Sequence, residues 1–236
     1  MKLKFQDLIV KETDDYFFIN KPPFFSTLDD RHDGQSVIEL AKEFDEDLQI
    51  CHRLDKETSG ILVISKNNEA YKHLASLFEK RKVEKLYHAV SGGIHDVEPV
   101  MIEAPIWVSS GGKVRVSFEQ GKPSATKVRS AKVFKKHTLF ECKPVTGRTH
   151  QIRVHLSYLK APLVGDAQYG GSDLYLSELK RHYNLKKGTE ELPLIKRVAL
   201  HAYQISFIDL KGELLEATAP YPKDFNVLIK QLEKNS

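Results

Sequence analysis

Six residues, GILVIS from Gly60 to Ser65, are apolar almost throughout, rich in β-branched side chains and too short to form a helix. Such a run is best accommodated as a strand buried on both faces, so the fold has to be built around a central sheet. The residues just before it, HRLDKETS, place a lone acid, Asp55, at the mouth of that strand. A carboxylate there is compatible with a solvated turn, a salt bridge, a metal ligand or a nucleophile.

Further strand signals surround this run. YFFIN, from Tyr16 to Asn20, reads into KPP, where two prolines end ladder pairing. VEKLYHAVSG alternates at period two, with Lys85, Tyr87 and Ala89 on one face and Leu86, His88 and Val90 on the other. KVRVSF and KPSATKVRSAKVF flank an EQGKP turn, HTLFECKPV follows, and RVALHAYQISFIDL and KGELLEATAP close the series. Helical spacing is confined to four segments. Ser36 and Glu39 form a capping-box pattern ahead of Val37, Leu40, Ala41 and Phe44. Asn67 or Asn68 caps a helix carrying Ala70, Leu74, Leu77 and Phe78, and Thr149 caps one carrying Ile152, Leu156 and Leu159. DFNVLIKQLEKN forms the last helix. Strands that adjoin through turns and outnumber helices predict an α+β fold, with a mixed, largely antiparallel sheet flanked by helices and loops. No linker, repeat or low-complexity tract interrupts the chain, so residues 1–236 are expected to form a single domain of catalytic size.

No apolar run approaches the roughly 20 residues that span a bilayer, and the first residues turn acidic where a signal peptide needs an apolar core. A cytoplasmic protein without a membrane partner is expected. Cys51 and Cys142 stand far apart and outside any CxxC pattern, which predicts buried thiols. Charge is unevenly spread. Residues 1–50 hold six Lys and Arg against twelve Asp and Glu, whereas residues 122–160 hold ten Lys and Arg against one acid, Glu141. That basic block favours a polyanion, with Lys135 and Lys136 as candidate phosphate contacts; a solvated face without a partner is the plainer alternative.

No GxxxxGK[ST] loop or GxGxxG turn is present; the SGG at 91–93 and SGGK at 110–113 read as turns, so no nucleotide cofactor is expected. His150 and His155 are five residues apart rather than the four that place two zinc ligands on one helix face, so no metal is expected either. Asp55 remains, with Arg153 as a guanidinium able to hold it ionised and Tyr87 as a flat ring with a hydroxyl. Taken singly, each has a structural alternative: a turn acid, a surface cation and a core-edge aromatic.

Taken together, CHRLDKETSGILVISK, TGRTHQIRVHL and LVGDAQYGG resemble the RluA-type family of RNA pseudouridine synthases. INKPP, KLYHAV and ALHAYQISF fall in the family's order, and the likeness runs over about residues 8–225. The resemblance implies the pseudouridine synthase fold, RNA as the partner (rRNA or tRNA), no cofactor and a monomeric enzyme. It implies Asp55 as the nucleophile, Tyr87 as the ring that packs on the target base and Arg153 as the partner of the aspartate. Arg53, Lys85, Arg148, His150 and Leu200 are implied as substrate-binding positions, Arg53 filling the gap left by a flipped nucleotide and Leu200 lining the pocket. The residue types do not choose among attack of the aspartate on ribose, attack on base, and removal of a ribose proton to give a glycal. Phe24 stands where the family's NKPxG loop commonly has glycine, which predicts a differently shaped loop over Pro22–Arg31. The chain is expected to be a short member without the N-terminal RNA-binding domain. An idle RNA-binding or RNA-folding module of the same fold, and a metal-dependent nucleic-acid hydrolase, are the competing readings.

Overall fold

The computed structural model describes residues 3–29, 35–185 and 188–236. Along the chain come β1 (Ile9–Glu12), β2 (Tyr16–Lys21), α1 (Val37–Phe44), β3 (Ser59–Ser65), α2 (Asn68–Glu79), β4 (Glu84–Gly92), β5 (Val100–Glu103) and β6 (Ile106–Val108). There follow β7 (Val114–Val116), β8 (Ala125–Val133), β9 (His137–Pro144), α3 (Gln151–Tyr158), α4 (Leu176–Leu179), β10 (Leu200–Ile208), β11 (Leu214–Thr218) and α5 (Lys223–Lys234). They group into two compact units, Met1–Leu86 with His201–Pro220 and Tyr87–Leu200 with Tyr221–Ser236.

In the first unit β2 lies antiparallel between β1 and β3, with Tyr16 opposite Ser65 and Lys21 opposite Gly60. β3 runs parallel to β10, and β10 antiparallel to β11. All seven residues of β3 are buried, as its aliphatic run requires. Gly60 lets β10 approach: its φ is +117°, and a Cβ there would lie 2.1 Å from the Ala202 carbonyl oxygen, so no other residue fits. Tyr16 and Phe18 pack against Phe207 at 5.2 and 5.9 Å between ring centres. Ser36 and Glu39 form the expected capping box on α1, and Asn67 caps α2 by accepting from Ala70 N at 2.8 Å.

In the second unit β4, β9, β8 and β5 follow one another in antiparallel order, with Tyr87 opposite Cys142, and β6 pairs with β7 as a separate ribbon. α3 and the inner faces of β4 and β9 share one apolar cluster, while α5 closes a second around Phe225 and Leu228. The architecture is thus α+β, with parallel pairing at β3 and β10 and antiparallel pairing elsewhere in the ladders named.

Several local expectations change. Thr149 does not cap α3; the N-cap position falls on His150, at φ +53° and without a side-chain capping bond, while Gln151 accepts from Arg148 N ahead of the helix. α3 is buried on all sides from Gln151 to Leu156, not along one stripe, so Arg153 does not belong to a solvent-facing basic surface. Leu77 and Phe78 of α2 are half-buried and Phe44 of α1 is 41% exposed. Cys142 is buried, but Cys51 only half. β1, β5 and β6 are strands of three or four residues, too short to declare themselves by periodicity. Phe24 takes φ +63°, the left-handed conformation that glycine adopts without cost. Asp30 and Arg31, at the far end of that loop, lie outside the described residues, as does Gly34 before α1. Among the described residues no helix is long and apolar enough to cross a membrane.

Candidate active site

Asp55 opens a turn, its carbonyl accepting from Thr58 N at 3.0 Å, one residue before β3 begins. The backbone is clamped on both sides of it. The buried Thr27 hydroxyl donates to the Leu54 carbonyl at 2.9 Å and accepts from Leu54 N at 3.2 Å, satisfying both polar groups of the preceding peptides. Lys21, fully buried at the end of β2, donates to the carbonyls of Pro22, Phe25 and Lys56 at 3.0, 2.8 and 3.1 Å. One ammonium therefore ties the INKPP loop to the residue after Asp55. The carboxylate itself is half-buried.

His52 anchors the start of this loop. Its Nε2 accepts from Val63 N at 3.0 Å and its ring stacks on Phe78 at 4.6 Å. Burial, with a smaller contribution from the Lys85 charge, holds its pKa down to about 3, so the ring stays neutral and keeps its acceptor. Lys85, half-buried with its ammonium 5.8 Å from the Phe78 ring centre, is lowered by burial to about 8. Arg53 is exposed. Behind the turn, Ser59 donates to His201 Nδ1 at 2.9 Å while His201 Nε2 donates to the Ala219 carbonyl at 3.1 Å. The TSG and LHA motifs meet there.

In the second unit Arg153 is held by a two-pronged ion pair. Its Nε and Nη2 each donate at 2.8 Å to the two oxygens of Asp166, and Nη2 reaches Gln168 at 3.0 Å. The guanidinium lies 4.9 Å from the Tyr169 ring centre, and the Tyr169 hydroxyl is 2.8 Å from His150 Nδ1. Both charges are buried, the Asp166 side chain at 1% exposure, so the pair fixes the guanidinium plane. Gly165, before Asp166, has φ +75°, and a Cβ there would meet the Arg197 carbonyl oxygen at 2.3 Å.

Gln151 organises the loop that delivers this helix. Its amide oxygen accepts from Thr146 Oγ1 at 2.6 Å and Arg148 N at 3.0 Å, while its amide nitrogen donates to Ala125 O and Thr126 Oγ1. His155, fully buried, donates from Nε2 to the Ala104 carbonyl and accepts from Thr126 Oγ1 at Nδ1. Both nitrogens have packing duties. Arg148 reaches the Pro123 carbonyl at 3.4 Å. Tyr87, half-buried on β4, packs against the cluster that holds Leu200, itself 4% exposed.

Asp55, Arg53 and Lys85 thus belong to the first unit, and Tyr87, Arg148, His150, Arg153 and Leu200 to the second. Within the second, Tyr169 brings Arg153 and His150 together, and one apolar cluster gathers Tyr87 and Leu200. Sequence reasoning missed four side chains that position these groups: Lys21, Thr27, Gln151 and Asp166. Each lies inside or next to a quoted motif, but hydroxyl, amide and carboxylate partners across a fold leave no periodic trace.

The chain is similar to known proteins. Residues 15–158 match a family model described as RNA pseudouridylate synthase. The ribosomal large subunit pseudouridine synthase D of Xanthomonas campestris pv. campestris is 36% identical over 200 residues, covering 79% of this chain and 55% of that protein. The protein of the same name from Vibrio cholerae serotype O1 is 37% identical over 235 residues, covering 93% of this chain and 69% of that one. The chain spans about half the length of several such relatives. Among solved structures, human RNA pseudouridylate synthase domain containing 4 superimposes with a TM-score of 0.72 at 24% identity, over 97% of this chain and 94% of that one, a likeness of fold.

Proposed function

Because the chain belongs to the RNA pseudouridylate synthase family, we propose that it isomerises uridines to pseudouridine in large-subunit ribosomal RNA, with Asp55 as the nucleophile. The observation that carries this is the Asp55 turn. The backbone that carries a half-buried carboxylate is fixed through the peptides on either side of it, by Thr27 on Leu54 and by Lys21 on Lys56. The carboxylate's point of attachment is thus set before substrate arrives, which is where much of the barrier reduction in a positioned reaction comes from.

The chemistry asks for this. The bond from ribose C1′ to uracil N1 breaks, the base turns while held, and C1′ bonds to C5; C5 gives up a proton and N1 gains one. Nothing is added or lost, so the site needs a carboxylate, a grip on the base and exclusion of water, and no cofactor. Tyr87 is proposed to pack its ring on the base, with Leu200 beside it. Arg153, its plane set by Asp166, is proposed to balance the Asp55 charge. A stacked or paired uridine hides its reacting atoms, and flipping it out costs about a few kcal/mol, offset by phosphate contacts and stacking. Arg53, Lys85, Arg148 and His150 are proposed to hold the flipped nucleotide and its neighbours. Residues 1–236 are proposed to act as one catalytic domain, as a monomer, in the cytoplasm.

The test is a pseudouridine map of ribosomal RNA from cells with and without the gene. The expected outcome is loss of at least one large-subunit site; an unchanged map overturns the proposal in favour of an RNA-binding module.

A further inference from the structure

A depression in the second unit lies among the turn between β8 and β9, the end of α4 and the end of α5, with a volume of about 410 Å3. Lys135 and Lys136 line it from the turn, and Lys180 and Arg181 from the segment after α4. All four are exposed, and none has a salt-bridge partner among the described residues. Two other cations of the basic block are already paired with acids at the surface: Arg129 with Glu141 at 2.7 Å and Lys132 with Glu233 at 2.8 Å. Glu178 is the one acid in the lining, and its carboxylate accepts from Tyr175 N at 3.1 Å to cap α4. Four cations against one engaged carboxylate leave the depression strongly positive.

Its floor carries a second, independent feature. His137, 8% exposed, lines the depression, and its Nδ1 is buried without any hydrogen-bond partner. A buried polar atom left unmet costs about 1–3 kcal/mol, so native structures rarely keep one without a use. Phe134 and Leu232, 3% and 2% exposed, close the base and keep the imidazole away from bulk water. Burial holds the His137 pKa below its ordinary value, opposed by Glu178 and reinforced by Lys136. Burial thus favours the uncharged ring, in which one nitrogen carries a proton that an anionic oxygen can accept.

The geometry points to a phosphate-binding subsite here, taking a backbone phosphodiester of the RNA that the enzyme modifies, with Lys135, Lys136, Lys180 and Arg181 around the charge and His137 Nδ1–H donating from below. It rests on the proposed RNA substrate, and adds a contact outside the motifs that carry Asp55, Tyr87 and Arg153. Cations on two sides suit a chain that passes through. They repel a metal ion or a basic peptide.

Two measurements on the full chain test it. First, binding of a large-subunit ribosomal RNA transcript is followed against KCl concentration for the wild type and for Lys180→Gln/Arg181→Gln. The log–log slope is expected to fall by about one, as for each phosphate contact removed; an unchanged slope overturns the proposal. Second, the His137 ring nitrogens are followed by NMR during titration with a short oligouridylate and, separately, with inorganic phosphate. Movement with the oligouridylate at concentrations where phosphate has little effect supports the RNA backbone. Equal response to both assigns the site to free phosphate, and no response to either empties it; both results overturn the proposal. Neither readout requires turnover. A protein that binds through this site yet forms no pseudouridine refutes the proposed reaction and leaves the subsite standing.

Discussion

The Asp55 loop and the Arg153 helix are immobilised by different physics. Around Asp55 the clamps act on backbone: a threonine hydroxyl takes both polar groups at Leu54, and a buried lysine gathers three carbonyls. Around Arg153 they act between side chains, through a buried two-pronged ion pair whose acid sits 13 residues downstream. A backbone clamp leaves the functional side chain unconstrained beyond its own rotamers, whereas an ion pair fixes the charged group itself. The first suits the carboxylate proposed to form and break bonds. The second suits the cation proposed to balance its charge from a fixed position.

The contrast predicts unequal costs. Asp166→Ala strands a buried guanidinium and should lower stability by about 3–5 kcal/mol, measured by urea unfolding. A cost under about 1 kcal/mol would mean the pair does not hold the helix end. Lower pH probes the histidines that burial holds below their ordinary pKa, His52 in the first unit and His88, His137 and His155 in the second. His52 and His88 are held by burial to about 3 and about 4, from an ordinary 6.5, with Glu141 partly opposing the shift at His88. Between those values and 6.5 the unfolded chain binds more protons than the folded one, so stability falls as pH drops through this window and is unaffected well above it. Each ring should contribute up to about 2 kcal/mol of loss by pH 5. His52→Gln, whose amide oxygen can still accept from Val63 N, should lower the slope by up to about 1.4 kcal/mol per pH unit, the share of one proton. Equilibrium unfolding between pH 5 and pH 8 checks both.

Smaller effects sharpen the picture at the loop. Thr27→Val removes the clamp at nearly constant volume and should cost about 1–2 kcal/mol. It should also lower kcat roughly tenfold with KM unchanged, because a misplaced carboxylate still lets RNA bind. Thr27→Ser should restore both. A stability loss with normal kcat would make Thr27 structural only. The smallest change has the opposite sign: Phe24→Gly relieves a left-handed φ of +63° and should stabilise by about 1 kcal/mol. Thermal unfolding reads it.

How much of this was legible in the sequence follows the same division. β3, the capping box on α1, the Asn67 cap and α5 were readable because their signals are local: a β-branched run, Ser36 three residues from Glu39, an asparagine before a periodic stretch. The start of α3 falls one residue past Thr149, at His150 in a left-handed turn that makes no side-chain capping bond, so no capping residue marks it in the sequence. The motifs surrounding Asp55 and Arg153 could be recognised by resemblance, yet Thr27 and Asp166 could not be assigned a task. The first clamps a peptide 27 residues away, and the second answers a guanidinium across a loop that turns at Gly165. Spacing along the chain encodes neither contact.

The central claim is that Asp55 performs the isomerisation on an RNA bound largely by other groups. Purified wild type and Asp55→Asn are incubated with a large-subunit ribosomal RNA transcript, and pseudouridine formation and RNA affinity are measured side by side. The account predicts no pseudouridine from Asp55→Asn, with affinity within several-fold of wild type because phosphate contacts dominate binding. Pseudouridine formed by Asp55→Asn at the wild-type rate would contradict it.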